Sequence, residues 1–287
     1  MRHWLTVASA SARLVSERPT LWLPGALAWV ASIGWIPLLV AVASWPSEAE
    51  LTFLGARIVT SGAWPWNAVL IVAMITIVVL AAFVAVAAAN AVLLDLLGQH
   101  AASVASAVRL LRIALVASIP GALVFVLLVI LAASVAPGAF NAPDDGGRGA
   151  LLSMIVRLAP LVTGLGVVVV LGAAFAAVAG RSDGMRSAAR RLARIGGAGW
   201  VHVLCGTGLH AAFVLLAALL LGVLWRPIGA QLETGGDFDV ATGLLLVGFV
   251  AIWLCLVLAG GALHAWSATT WTRMLAAGTR SMPPQRI

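Results

Sequence analysis

Three histidines lie where chemistry would be least expected, inside long apolar runs. His202 and His210 fall in the run over 199–225, and His264 in the run over 241–266. Two imidazoles facing each other across neighbouring helices can serve as axial ligands to a haem iron. Consecutive antiparallel spans would bring His202 and His264, each near the inner edge of its run, to a common depth. They are therefore the candidate haem or metal pair, with haem b as the cofactor that this alternative would require. His210 stands about 12 Å deeper than His202 and is turned roughly 80° from it on a helix, so it is a poor third ligand to the same ion. The competing expectation needs no cofactor: each imidazole hydrogen-bonds to backbone, headgroup or water. His3 and His100 fall in connecting segments.

The remaining polar residues narrow the chemistry further. Asp95 is the only acid clearly inside an apolar run, near one end of it. Ionisable groups within a bilayer are costly and mark ion or substrate pathways. Their scarcity argues against a proton- or sodium-driven mechanism. It leaves Asp95 as a snorkelling or capping side chain at the interface, or as a substrate or partner contact. Arg186, Arg190, Arg191 and Arg194 form a basic cluster that can bind phosphate headgroups or an acidic partner, although setting topology already explains them. The chain has no HExxH, no GxSxG, no P-loop and no pair of intramembrane aspartates, so no catalytic residue is assigned. Gly164 and Gly166, Gly206 and Gly208, and Gly260 and Gly261 make no dinucleotide fingerprint and are expected to allow close helix approach. Cys205 and Cys255 lie in apolar runs without metal-ligand spacing and are expected to pack as small hydrophobes.

The elements that carry these residues follow from composition. Of the 287 residues 62% are hydrophobic and 9% charged, with a mean hydropathy of +1.09. Soluble domains carry roughly 25% charged residues; this chain cannot cover itself in a polar surface, and its solvent must be hydrocarbon. Six runs reach the roughly 20 residues that cross a bilayer core: 20–43, 67–97, 113–136, 158–180, 199–225 and 241–266. Backbone groups in lipid must be satisfied within the segment, so each run is predicted to be a helix. The first is too long for a signal-peptide core. The second, at 31 residues, is about 46 Å long as one helix and must tilt or project from the bilayer.

Charge sets the orientation. The net charge is +7, and every basic residue is arginine. A basic balance can signal nucleic acid, but these arginines are segregated by segment, and no nucleic-acid partner is expected. Arg2, Arg13 and Arg18 precede the first run, Arg109 and Arg112 the third, the cluster from Arg181 to Arg194 the fifth, and Arg273, Arg280 and Arg286 follow the sixth. Most of the acids, Glu48, Glu50, Asp144, Asp145, Glu233, Asp237 and Asp239, fall in the alternate connections. The positive-inside rule then places both termini in the cytoplasm, in agreement with an even number of spans. Trp22, Trp200, Trp266 and Trp271 fall at predicted inner edges, and Trp45, Trp64, Trp66 and Trp225 at outer edges. Trp29, Trp35 and Trp253 lie deeper and are expected between helices.

A threefold pattern runs through the chain. Ala/Ser/Arg-rich stretches, Val7–Arg18, Val104–Arg112 and Arg186–Ile195, precede the odd-numbered runs. Pro24–Leu27 and Pro120–Leu123 repeat Pro-Gly-Ala-Leu. Each stretch is expected to form a basic amphipathic helix at the leaflet surface. The expected fold is thus an all-α integral membrane protein, a single membrane domain over 1–287. Its six transmembrane helices form three hairpins, each preceded by a cytoplasmic amphipathic elbow helix, as pseudo-repeats of about 1–97, 98–180 and 181–287.

These elbows and the Pro-Gly-Ala-Leu openings resemble six-span bacterial membrane proteins related to the membrane domain of glycerophosphodiester phosphodiesterases. The resemblance covers most of the chain and is topological. It implies a place in the bacterial cell (inner) membrane and a lipid-related transport role or membership of an assembly, with no assigned residues. No soluble phosphodiesterase domain accompanies it, so that activity does not carry over. The expected function is a non-enzymatic membrane subunit: a scaffold, or a component that transports lipid or another hydrophobic ligand. Its expected partners are membrane lipids and other membrane proteins or further copies of itself, with no cofactor. The alternatives are the permease subunit of an ATP-driven exporter and a haem-binding redox subunit.

Overall fold

The computed structural model describes residues 2–42, 48–101, 103–135, 164–178, 190–193, 195–233 and 239–280. The elements are α1 (Arg2–Glu17), a 3-10 turn (Pro19–Leu21), α2 (Trp22–Trp29), a π turn (Val30–Gly34), α3 (Trp35–Val42), α4 (Glu48–Thr60), α5 (Trp66–Leu96), α6 (Val104–Val135), α7 (Gly164–Val178), α8 (Gly197–Glu233) and α9 (Val240–Arg280). Among the described residues there is no strand.

Four helical segments are long and apolar enough to cross a membrane: Pro19–Val42, Trp66–Leu96, Gly197–Leu232 and Val240–Ala277. They coincide with the first, second, fifth and sixth apolar runs and mark the chain as a membrane protein. The third run lies within α6 as far as residue 135, the last one described there. The fourth is described only over residues 164–178, in α7.

One end of the bundle gathers many termini. Trp4 and Ala8 of α1, Ala91 and Leu94 near the end of α5, Leu110 and Ile113 of α6, Ala177 and Val178 closing α7, and Met274 and Leu275 of α9 share one buried cluster. At the other end Leu221 and Ile228 of α8 meet Phe249 of α9, with Leu38 and Ala41 of α3 against them. The chain therefore comes back to the first end with α5, α7 and α9, and leaves it with α6 and α8.

The elbows differ from their common sequence pattern. The first is a separate helix, α1, but its buried face is turned to protein. Trp4, Ala8, Ser11 and Val15 follow the helical period and are buried, while Leu5, Ser9, Ala12 and Arg13 on the opposite side are exposed. The second is not separate: Val104–Arg112 forms the first turns of α6 without a break. In the third, residues 186–189 and 194 lie outside the described residues, and 190–193 are helical.

Glycine allows two of the local geometries. The first span crosses α9 with backbone against backbone. A Cβ on Gly261 would stand 2.5 Å from the amide nitrogen of Ala26 and 2.5 Å from the carbonyl oxygen of Trp22. Close approach through small residues is how helices associate where lipid removes the hydrophobic drive. At its far end α5 closes in a Schellman motif. Gly98 takes φ +76°, its N–H donates to Asp95 O at 2.8 Å, and Gln99 N–H donates to Leu94 O at 2.9 Å. Gly98→Ala is expected to lower stability by about 1 kcal/mol through left-handed strain. Gly208→Ala, in open space within α8, is expected to raise it by a similar amount through helix propensity. Opposite shifts of Tm in detergent would bear this out; shifts of one sign would not.

Candidate functional site

The three histidines converge on one polar cluster at the end of the bundle where α1 docks. Two helices fix the register. On α9, His264 and Ser267 lie one turn apart; on α8, His202 and His210 lie eight residues apart. Antiparallel packing sets Ser267 against His202, while His264 joins His210, deeper in the bundle, on the wall of a small cavity.

Each hydrogen bond fixes a tautomer. Trp4 Nε1–H donates to His202 Nδ1 at 3.2 Å. An indole nitrogen can only donate, so His202 Nδ1 accepts. The ring is then neutral, with its proton on Nε2, which donates to Ser267 Oγ at 3.2 Å. Asn90 Nδ2 donates to Val86 O at 2.8 Å, which turns its Oδ1 towards His264; His264 Nε2–H donates to that oxygen at 3.1 Å. His210 Nδ1–H donates to Gly206 O at 2.8 Å, within its own helix. In the neutral ring its Nε2 is then an acceptor, and this atom is buried without a partner among the described residues.

Aromatic rings enclose the cluster. His202 is fully buried and stands edge-on to Trp271 at 4.7 Å between ring centres, with Trp266 at 5.3 Å. The indoles are themselves engaged. Trp266 Nε1–H donates to Ala8 O, Trp271 Nε1–H to Val169 O, and Trp22 Nε1–H to Val15 O, at 2.9, 3.1 and 2.9 Å. Of the four tryptophans expected at the inner edge, only Trp200, 71% exposed, is free to face the interface; the others join helix to helix. Trp29 packs in the core as expected, whereas Trp35 is exposed.

His202 and His264 are not set face to face as a pair of axial ligands would be. His202 has its lone pair on Trp4 and its N–H on Ser267, and His264 is turned to Asn90 on α5, so neither ring faces the other across an open space. The cavity beside His264 leaves about 10 Å³ for the centre of a water-sized sphere, far short of a porphyrin. Among the described residues no three His, Cys, Asp or Glu side chains come together as a metal site.

No family model, curated protein or solved structure matches the chain.

The basic cluster is divided. Arg190 is exposed and already engaged, while Arg191 is half-buried and donates from Nη2 to Ala177 O at 2.7 Å. That bond ties residue 191 to the C-terminal end of the described part of α7. Arg186 and Arg194 lie outside the described residues. Asp95, half-buried in the last turn of α5, is likewise engaged. Hydropathy reading passes over two partners in the histidine cluster. Ser267 is one helical turn beyond His264, and Trp4 opens the buried stripe of α1; both signals are periodic, and neither names the residue it will meet.

Proposed function

We propose that this chain is a non-enzymatic, six-span membrane subunit with both termini on the cytoplasmic side, serving as a scaffold or lipid-handling component of a larger assembly. One observation carries the reading. From residue 69 to 81 every position of α5 is exposed, including Leu70, Met74, Ile77 and Val78, and its buried residues begin only at Val86. A helix in a packed bundle hides at least one stripe. This one offers three turns of apolar surface in every direction, interrupted only by Thr76, whose hydroxyl donates to Val72 O, a face that suits lipid chains or the spans of a second membrane protein. The cluster at the opposite end of α5 supports the same reading. Its histidines serve as hydrogen-bond partners between α1, α5, α8 and α9, a role in holding the bundle together rather than in chemistry. The return of α5, α7 and α9 to the end that also holds α1 and the start of α6, with Arg109 and Arg112, supports six spans with cytoplasmic termini. The resemblance to six-span proteins with lipid-related roles points the same way.

Photo-crosslinking from the face of α5 tests the reading. A crosslinking residue at Met74 or Ile77 is expected to capture one defined protein or lipid species in cells. The same probe at Leu219, an exposed position of α8, is expected to capture bulk lipid. An identical bulk-lipid pattern from all three positions would remove the special role of α5.

A further inference from the structure

We infer that the cavity walled by His210, His264, Ser267 and Gly172 is the binding site of a single water molecule, which joins two otherwise separate arms of the histidine cluster. The inference stands on the geometry of the site and does not rest on the subunit reading. The cavity has about 10 Å³ for the centre of a water-sized sphere, close to the room that one water needs. Buried waters also need two to four polar partners, and the lining supplies them with complementary roles.

His210 is 1% exposed, and its Nδ1–H is committed to Gly206 O, so the partnerless Nε2 offers a lone pair. Ser267 Oγ receives the Nε2–H of His202 and keeps its own hydroxyl proton to give. A water between them accepts from Ser267 and donates to His210. An orphaned imidazole nitrogen in a dry apolar interior carries the full desolvation penalty of the group, and this water relieves it. His264, on the same wall, has its Nε2–H turned to Asn90, which leaves the ring's other nitrogen as an acceptor.

The completed chain runs from Trp4 through His202, Ser267 and the water to His210. It is not a proton path. The indole N–H of Trp4 covers His202 Nδ1 and has no lone pair to pass a proton onward, so any proton taken from His202 could not be replaced from that end. The water is a structural link between α8 and α9.

Gly172 makes the site testable without removing any polar group. A Cβ there would meet Trp271 at 3.5 Å, an ordinary contact, and Gly172→Ala would bring a methyl group to the cavity wall. The measurement is solid-state NMR of the full chain in lipid bilayers with 15N-labelled histidine, reading magnetisation transfer from water to the His210 ring. The wild type is expected to show a slowly exchanging water contact at His210 Nε2, and Gly172→Ala is expected to lose it. No such contact in the wild type would overturn the assignment. A contact that survives unchanged in folded Gly172→Ala would also overturn it, by placing the water elsewhere. If Gly172→Ala does not fold, Ser267→Ala, which removes the donor and leaves the space, is expected to weaken the contact, and an unchanged contact there counts against the site.

Discussion

Gly261→Leu is expected to abolish the folded state. The two atoms that its Cβ would meet at 2.5 Å, Ala26 N and Trp22 O, are backbone atoms of the first span and cannot rotate aside. The helices would have to separate along their crossing. That separation would also loosen Trp29, whose ring already fills the space beside Gly260, where an added Cβ would lie 2.5 Å from it. Overpacking in a core costs about 1–3 kcal/mol where side chains can shift. A backbone crossing allows no such shift, and the loss is expected to exceed that range, which is enough to leave little folded protein. Gly248→Leu is the control: it lies on the same helix, adds the same apolar bulk and meets nothing within 4 Å. Size-exclusion profiles in mild detergent should show a sharp peak for Gly248→Leu and aggregate for Gly261→Leu. Equal peaks would show that α2 and α9 do not pack as described.

His202→Leu has the second largest expected effect. It removes both bonds of a fully buried ring and leaves the Trp4 indole N–H without its acceptor. Each orphaned buried group costs about 1–3 kcal/mol, so a total loss of roughly 2–4 kcal/mol is expected. The damage should be directional. Trp4 is the buried contact that pins the start of α1, and loss of its partner should free that helix while the α8–α9 hairpin persists. A cycle with Trp4→Phe isolates the bond. Polar pairs in membrane proteins couple by about 0.6 kcal/mol on average and by up to about 1.7, and a value in the upper half is expected for a pair this buried. Strict additivity would mean that Trp4 and His202 do not bond, and the tautomer assigned to His202 would fall with it.

Hydropathy alone locates the four membrane-length helices, because about 20 apolar residues in a row have few alternatives as secondary structure. The role of α1 is harder to see. A stripe at positions 4, 8, 11 and 15 states that one face is buried, but lipid and protein satisfy that period equally well. The side of α1 that faces the bundle is decided by its partners, His202 and the Trp266 indole, which are about 200 and 258 residues distant along the chain.

The histidine pairing fails for a reason of register. Taking the edges of the apolar runs as level puts His264 opposite His202. However, α9 continues to Arg280, well beyond its apolar run, and the helices meet one turn out of that register. Ser267 therefore stands at His202, and His264 turns to Asn90. Asn90 is visible in the sequence as a lone amide in a long apolar helix, and its need for partners is predictable. Which partners it finds depends on how α5 crosses α9. The small-residue reading of Gly260 and Gly261 needs no such long-range knowledge, since only glycine tolerates that approach.

Native mass spectrometry of the chain released directly from its membrane, with a visible absorption spectrum of the same sample, tests the proposed role most directly. A colourless protein carrying a defined lipid or a second membrane protein in fixed ratio is the result expected of a non-enzymatic subunit. A haem spectrum, or a bare chain whose only companions are freely exchanging bulk lipids, would contradict it.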